Sequence, residues 1–146
     1  MDSSGSMNDS GLMFANAVCY AVGKALQGIS GVNLGITAFP GANAAKRGAT
    51  VVPVLRHGEK LTTRFPEIAY GMTPMAESLW WVMQRMCLLR ENRKIILIIT
   101  DGEPDSIPTA QEAFKQAQKK GFECYGLGIM CSNIATLLPH TSRVIE

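Results

Sequence analysis

Asp2, Ser4 and Ser6 open the chain as one carboxylate and two hydroxyls on alternate residues, with Gly5 between the hydroxyls. Such hard oxygen donors on flexible backbone suit a small divalent cation that keeps some of its waters. Taken alone, the five residues Asp2-Ser3-Ser4-Gly5-Ser6 also fit a frayed, solvated terminus. Two further stretches bear on the choice. Thr73 precedes Pro74 at the start of a helical pattern, and Asp101 follows the most apolar run in Thr100-Asp101-Gly102-Glu103-Pro104-Asp105. Separately, Thr73 reads as a helix N-cap and Asp101-Gly102 as a turn. Together, Asp2, Ser4, Ser6, Thr73 and Asp101 give two carboxylates and three hydroxyls, with no sulfur or imidazole. Two acids attract a dication yet leave it under-neutralised, so it remains a Lewis acid open to one more carboxylate.

The elements needed to position these groups follow from periodicity. Residues 10 to 27 carry Met13, Phe14, Ala17, Val18, Ala21, Val22, Ala25 and Leu26, a helical stripe. Asp9 or Ser10 can cap it, and Gly28 can end it. A strand is expected over Val32 to Phe39, a loop over residues 41 to 49, and an edge strand over Thr50 to Leu55, since Pro53 removes a ladder donor. A short helix is expected near Arg64 to Ala69. Thr73-Pro74 opens a helix whose apolar positions are Met75, Leu79, Val82, Met83, Met86 and Leu89. Ile95 to Ile99 reads as a strand buried on both faces. Ile107 to Lys120 reads as a helix, Glu123 to Ile129 as a strand, Asn133 to Leu138 as a short helix and Ser142 to Ile145 as a last strand. This alternation predicts an α/β fold: a doubly wound, mostly parallel open sheet with helices on both faces and one antiparallel edge strand. In such sheets, ligands bind at the carboxyl ends of the strands, where all three polar stretches fall.

Composition narrows the function classes. The 146 residues fit one domain, over 1–146, and 47% of them are hydrophobic. A net charge of +2 gives no electrostatic case for nucleic acid or an anionic membrane. The local basic clusters, Arg90, Arg93 and Lys94 and then Lys115, Lys119 and Lys120, read as solvated faces. No apolar run reaches the length of a membrane span, and Met1 is followed by polar residues rather than a leader, so a cytoplasmic protein is expected. Cys19, Cys87, Cys124 and Cys131 form no C-x-x-C pair and read as buried or half-buried free thiols. His57 and His140 read as structural or surface residues.

The set Asp2-x-Ser4-x-Ser6, Thr73 and Asp101-Gly102, in that order and over that element pattern, resembles the von Willebrand factor type A domain and its metal-ion-dependent adhesion site. The resemblance covers essentially the whole chain. It implies a non-enzymatic module that holds Mg²⁺ (or Mn²⁺ or Ca²⁺) and captures a glutamate or aspartate of a protein partner. It also implies that Ser4 and Ser6 coordinate directly, Asp2 and Asp101 directly or through water, and Thr73 when the site is closed on a ligand. Gly5 and Gly102 would let backbone approach the ion. Glu103 and Asp105 lie near enough to tune or gate the site, but both, Asp105 above all, read better as a solvated acidic loop. Asp-Gly-Glu-Pro and Thr-Pro-Met-x-Glu-Ser-Leu are similar to bacterial intracellular members that work beside AAA+ ATPases, including the cobaltochelatase type of cobalamin biosynthesis.

In that family an apolar central strand precedes D-x-S-x-S, whereas here Met1 alone does. A gap is therefore expected between the strand near Val32 to Phe39 and the strand Ile95 to Ile99, with unpaired backbone groups at its walls. The chain also stops where a closing helix is usual. A chain trimmed at both ends, an incomplete sequence, or completion by another chain, as in a homodimer, would each account for this. Two other functions remain open. One is a Mg²⁺-dependent hydrolase or phosphotransferase acting through Asp2, against which stands the lack of a nearby lysine, second aspartate or P-loop. The other is a scaffold with a vestigial site.

Overall fold

A computed structural model describes residues 1–41 and 51–145. The expected loop beyond Gly41, and Thr50 of the expected edge strand, lie outside the described residues.

The strands are β1 (Ile36–Ala38), β2 (Val52–Leu55), β3 (Lys94–Thr100), β4 (Phe122–Ile129) and β5 (Ser142–Ile145). The helices are α1 (Asn8–Gln27), α2 (Met75–Cys87), α3 (Ile107–Lys119) and α4 (Ile134–Leu137). Among the described residues, β3, β4 and β5 form a parallel sheet in that order, and β1 pairs antiparallel with β2. Pro53 lies in β2, the edge of its pair, as a missing N–H requires.

Met1 to Ser3 join the two sheets. Phe39 N donates to Met1 O at 3.1 Å and Ser3 N to Phe39 O at 2.7 Å, a parallel rung against the end of β1. On the other side, Asp2 N donates to Ile99 O of β3 at 2.7 Å. These residues form a short stub of bridging backbone between the two sheets. Below them, β1 and β3 are separated by a cavity of about 640 Å³.

Two apolar layers sandwich this framework. Ile96 and Ile98 of β3 and Phe122 and Cys124 of β4 pack with α2, α3 and α4. Ile99, Ile36 and Ala38 face the other way, with Leu12, Ala15 and Cys19 of α1. In α3, Ala110, Ala113 and Ala117 have no exposed surface, so the helix backbone lies close to its neighbours, and Phe114 fills the space beside them. Ser106 caps α3 by accepting from Thr109 N, and Gly121, at φ 85°, turns the chain out of it.

Several local expectations are corrected. Residues 64 to 69 form no helix; Pro66 disfavours helical backbone in the residue before it, and its carbonyl accepts from Asn16 Nδ2 at 2.8 Å. Helix α1 starts at Asn8, whose Oδ1 accepts from Gly11 N at 3.0 Å, rather than at a cap on Asp9 or Ser10. Its buried face runs through Leu12, Ala15, Cys19 and Gly23, leaving Met13 72% and Phe14 40% exposed. The smaller side chains bring α1 closer to the sheet. β3 is buried on one face only: Ile95 and Leu97 are 46% and 41% exposed, since they line the cavity on the α1 side. Cys87 is exposed at the end of α2, not buried.

Phe114→Ala is expected to cost about 3–5 kcal/mol of stability in urea unfolding, while Lys115→Ala on the exposed face stays within about 0.5 kcal/mol of the wild type.

Candidate metal centre

The stub sets Asp2 at the carboxyl ends of β1 and β3, with its side chain fully buried. Ser4 N donates to Asp2 Oδ1 at 2.8 Å, and Thr100 Oγ1 donates to Asp2 Oδ2 at 2.5 Å. A carboxylate in such a place needs charge-assisted donors on both oxygens, because burying it without them is costly. Ser3 is buried too, with Oγ donating to Phe39 O at 3.0 Å. A single 3₁₀ turn, Gly5–Met7, then leads into α1. The start of the chain is thus packed rather than frayed.

From Asp2 the polar groups run outward as a chain. Ser4 Oγ and Ser6 Oγ lie 3.1 Å apart, and Ser6 Oγ donates to Asp101 Oδ1 at 3.0 Å. Ser4 is 1% exposed, Ser6 is exposed and Asp101 is half-buried, so the cluster opens to solvent at the Ser6–Asp101 end. Burial lifts the Asp101 carboxyl above the usual carboxylate range and the Asp2 charge adds to that, against the opposing hydrogen bonds from Ser6 and the backbone. A cation at this point would relieve that repulsion. Gly102 sits against the same hydroxyl, and a Cβ there would lie 3.3 Å from Ser6 Oγ.

The Thr73 loop is tied to this cluster twice. Gly5 N donates to Gly71 O and Tyr70 N to Ser3 O, both at 3.1 Å. Thr73 N donates to Asp105 Oδ1 at 2.7 Å, and Asp105 N returns a bond to Thr73 O at 3.0 Å. Thr73 is not the cap of α2: the helix starts at Met75 with Pro74 at the N-cap position. Asp105 lies exposed in its loop, as expected, and in addition clasps Thr73. Glu103 accepts from Asn133 Nδ2 at 2.9 Å, so its carboxylate is held toward the start of α4.

The structure therefore links Asp2, Ser4, Ser6 and Asp101 by direct hydrogen bonds and brings Thr73 alongside through backbone bonds. Thr100 is a contributor that residue spacing did not single out; it is a hydroxyl directly before Asp101, which is the one signal that could have marked it. Among the described residues, no three or more His, Cys, Asp or Glu side chains gather so that they alone could hold a metal ion. A cation here would draw on hydroxyls beside the two carboxylates, a donor set that fits Mg²⁺ or Mn²⁺.

Thr100→Val removes the donor to a buried carboxylate oxygen and is expected to cost about 2 kcal/mol, read as a lowered urea midpoint at unchanged m-value.

No family profile and no curated relative matches the chain. Solved structures do. Manganese-loaded TRAP protein of Plasmodium vivax matches at TM-score 0.79 and 16% identity, over 100% of this chain and 66% of that one. The conserved hypothetical protein BatB from Bacteroides thetaiotaomicron matches at TM-score 0.62 and 19% identity, over 88% of this chain and 63% of that one. Proximal thread matrix protein 1 of the mussel byssus matches at TM-score 0.66 and 15% identity, over 97% of this chain and 38% of that one. The chain spans about two thirds or less of the length of each. Its fold is that of the von Willebrand factor type A domain.

Proposed function

We propose that the chain is a non-catalytic, divalent-metal-dependent module that binds a protein partner through an acidic side chain. The observation that carries this reading is the hydrogen-bonded set Asp2–Ser4–Ser6–Asp101, buried at one end and open at the other. Ser4 and Ser6 would hold Mg²⁺ (or Mn²⁺ or Ca²⁺) through their hydroxyls. Asp2 and Asp101 would neutralise it directly or through water, and Thr73 would join when a ligand closes the site. The open Ser6–Asp101 side leaves room for a glutamate or aspartate of the partner as the last ligand. That TRAP was crystallised manganese-loaded supports a divalent ion on this fold. Asp-Gly-Glu-Pro and Thr-Pro-Met-x-Glu-Ser-Leu support a bacterial cytoplasmic setting beside an AAA+ ATPase, in a chelatase-like assembly.

The test uses the metal alone and then a short glutamate-containing peptide. Saturating Mn²⁺ or Mg²⁺ at a hundredfold excess over Kd stabilises the folded chain by about 2.7 kcal/mol. Asp101→Ala and EDTA abolish both that gain and peptide binding. Metal-independent peptide binding, or no thermal shift with either ion, defeats the reading. Phosphate-ester turnover lost in Asp2→Asn would move the chain to the hydrolase class.

A further inference from the structure

The segment that leads to Thr73 runs back along α1 and is pinned at three heights. A Cβ added at Gly23 would lie 3.0 Å from Leu61 Cδ1, Asn16 Nδ2 donates to Pro66 O at 2.8 Å, and Gly5 N donates to Gly71 O at 3.1 Å. Between the pins, segment and helix do not close completely. A cleft of about 440 Å³ remains between α1 and residues 63–67. Its α1 wall carries Met13, Asn16, Ala17 and Tyr20, spaced i, i+3, i+4 and i+7, a second helix face beside the one that meets the core. The facing wall carries Phe65, half-buried against the core, and Glu67, which is exposed.

These walls hold more acceptors than donors. Asn16 Oδ1 is buried without a hydrogen-bond partner, the one such side-chain atom among the described residues. The bond from Nδ2 to Pro66 O fixes the amide, since exchanging its O and N would set two acceptors against each other. A buried acceptor without a donor is costly, and a ligand N–H removes that cost. Among the described residues, Glu67 is the only charged side chain lining the cleft; Lys24, Lys60 and Arg64, the cations nearest in sequence, do not line it. Tyr20 and Phe65 add two aromatic rings. A carboxylate without a cation, an orphan acceptor and two rings together select a flat cation with several N–H groups. Guanidinium meets all three demands: it is planar, has five donors, stacks on rings and forks onto carboxylate. An ammonium is a compact, strongly hydrated charge with fewer donors. A wholly apolar ligand would leave Asn16 Oδ1 as it is.

The surroundings identify what carries the guanidinium. Asn8 stands two residues after Ser6, and Asn16 lies about 12 Å further along α1 at 1.5 Å per residue. Over that stretch Met13, Ile68 and Met72 are 72%, 71% and 70% exposed. A free small molecule in the cleft would leave this apolar surface in water, whereas a protein lying from the cleft to the metal centre covers it.

We propose that the cleft between α1 and residues 63–67 receives an arginine side chain of the protein partner that binds at the metal centre. The partner's place at the metal rests on the function proposed above; the preference of the cleft for guanidinium does not.

The probes are N-acetyl-arginine amide, its citrulline and lysine counterparts, and a peptide with glutamate and arginine on either side of a short serine spacer. In EDTA, N-acetyl-arginine amide moves the Asn16 side-chain amide signals and the Tyr20 and Phe65 ring signals in NMR spectra of the intact chain. Citrulline, of the same shape without the charge, binds about tenfold more weakly, and the lysine counterpart about threefold more weakly. Glu67→Gln weakens N-acetyl-arginine amide about fivefold and leaves the metal-induced thermal shift unchanged. With Mg²⁺ present, the glutamate–arginine peptide binds about tenfold tighter than its citrulline version, and Glu67→Gln removes most of that gain. Equal binding of citrulline, signals moved elsewhere, or unchanged affinity in Glu67→Gln overturns the cleft as an arginine site. Equal binding of the lysine counterpart overturns the choice of guanidinium. Arginine binding in a chain that shows no metal shift keeps the cleft and defeats only the metal reading.

Discussion

Asp2 N donates to Ile99 O while Ser3 N and Phe39 N close a rung with the end of β1. Through these bonds a three-residue stretch of backbone holds the β1–β2 pair and the β3–β4–β5 sheet side by side. The same stretch brings a carboxylate, two hydroxyls and a glycine to the carboxyl ends of the strands. Architecture and chemistry therefore share one anchor. If the anchor moved by one residue, the side chain at position 2 would turn to the other face of the sheet, and Thr100 would lose its partner.

The site shows a division between structure and openness. Asp2, with donors on both oxygens, belongs to the packed interior. Asp101 is half-buried, its neighbour Ser6 is exposed, and its carboxyl is lifted by burial and by the charge of Asp2. One acid is fixed in place and the other is left with unbalanced electrostatics at the surface. That asymmetry would favour a cation at the outer end of the cluster rather than beside Asp2.

Much of this could be read from residue order. Alternation of helices and strands, Pro53 at an edge and the aliphatic run of β3 point to the sheet, since each reports a local rule that tertiary context did not override. Met75, Leu79, Met83 and Met86 face the core as their spacing implies. What the sequence could not show was contact across distance. The partnership of Thr100 with Asp2 spans 98 residues, and the Thr73–Asp105 clasp joins two loops that are apart in sequence. The orientation of α1 failed for a related reason: Leu12 with the smaller Ala15, Cys19 and Gly23, not Met13 and Phe14, meets the core, and only the packing reveals which side that is. Residues 64 to 69 carried a helical composition that Pro66 defeated.

The clasp has a mechanical side. Thr73 stands just ahead of α2, and Asp105 stands next to Ser106, the cap of α3. Each donates a backbone N–H to the other, so the two loops cannot slide past one another without breaking both bonds. Since α2 and α3 also pack together, any displacement of Thr73 would be passed to both helices rather than absorbed in its own loop.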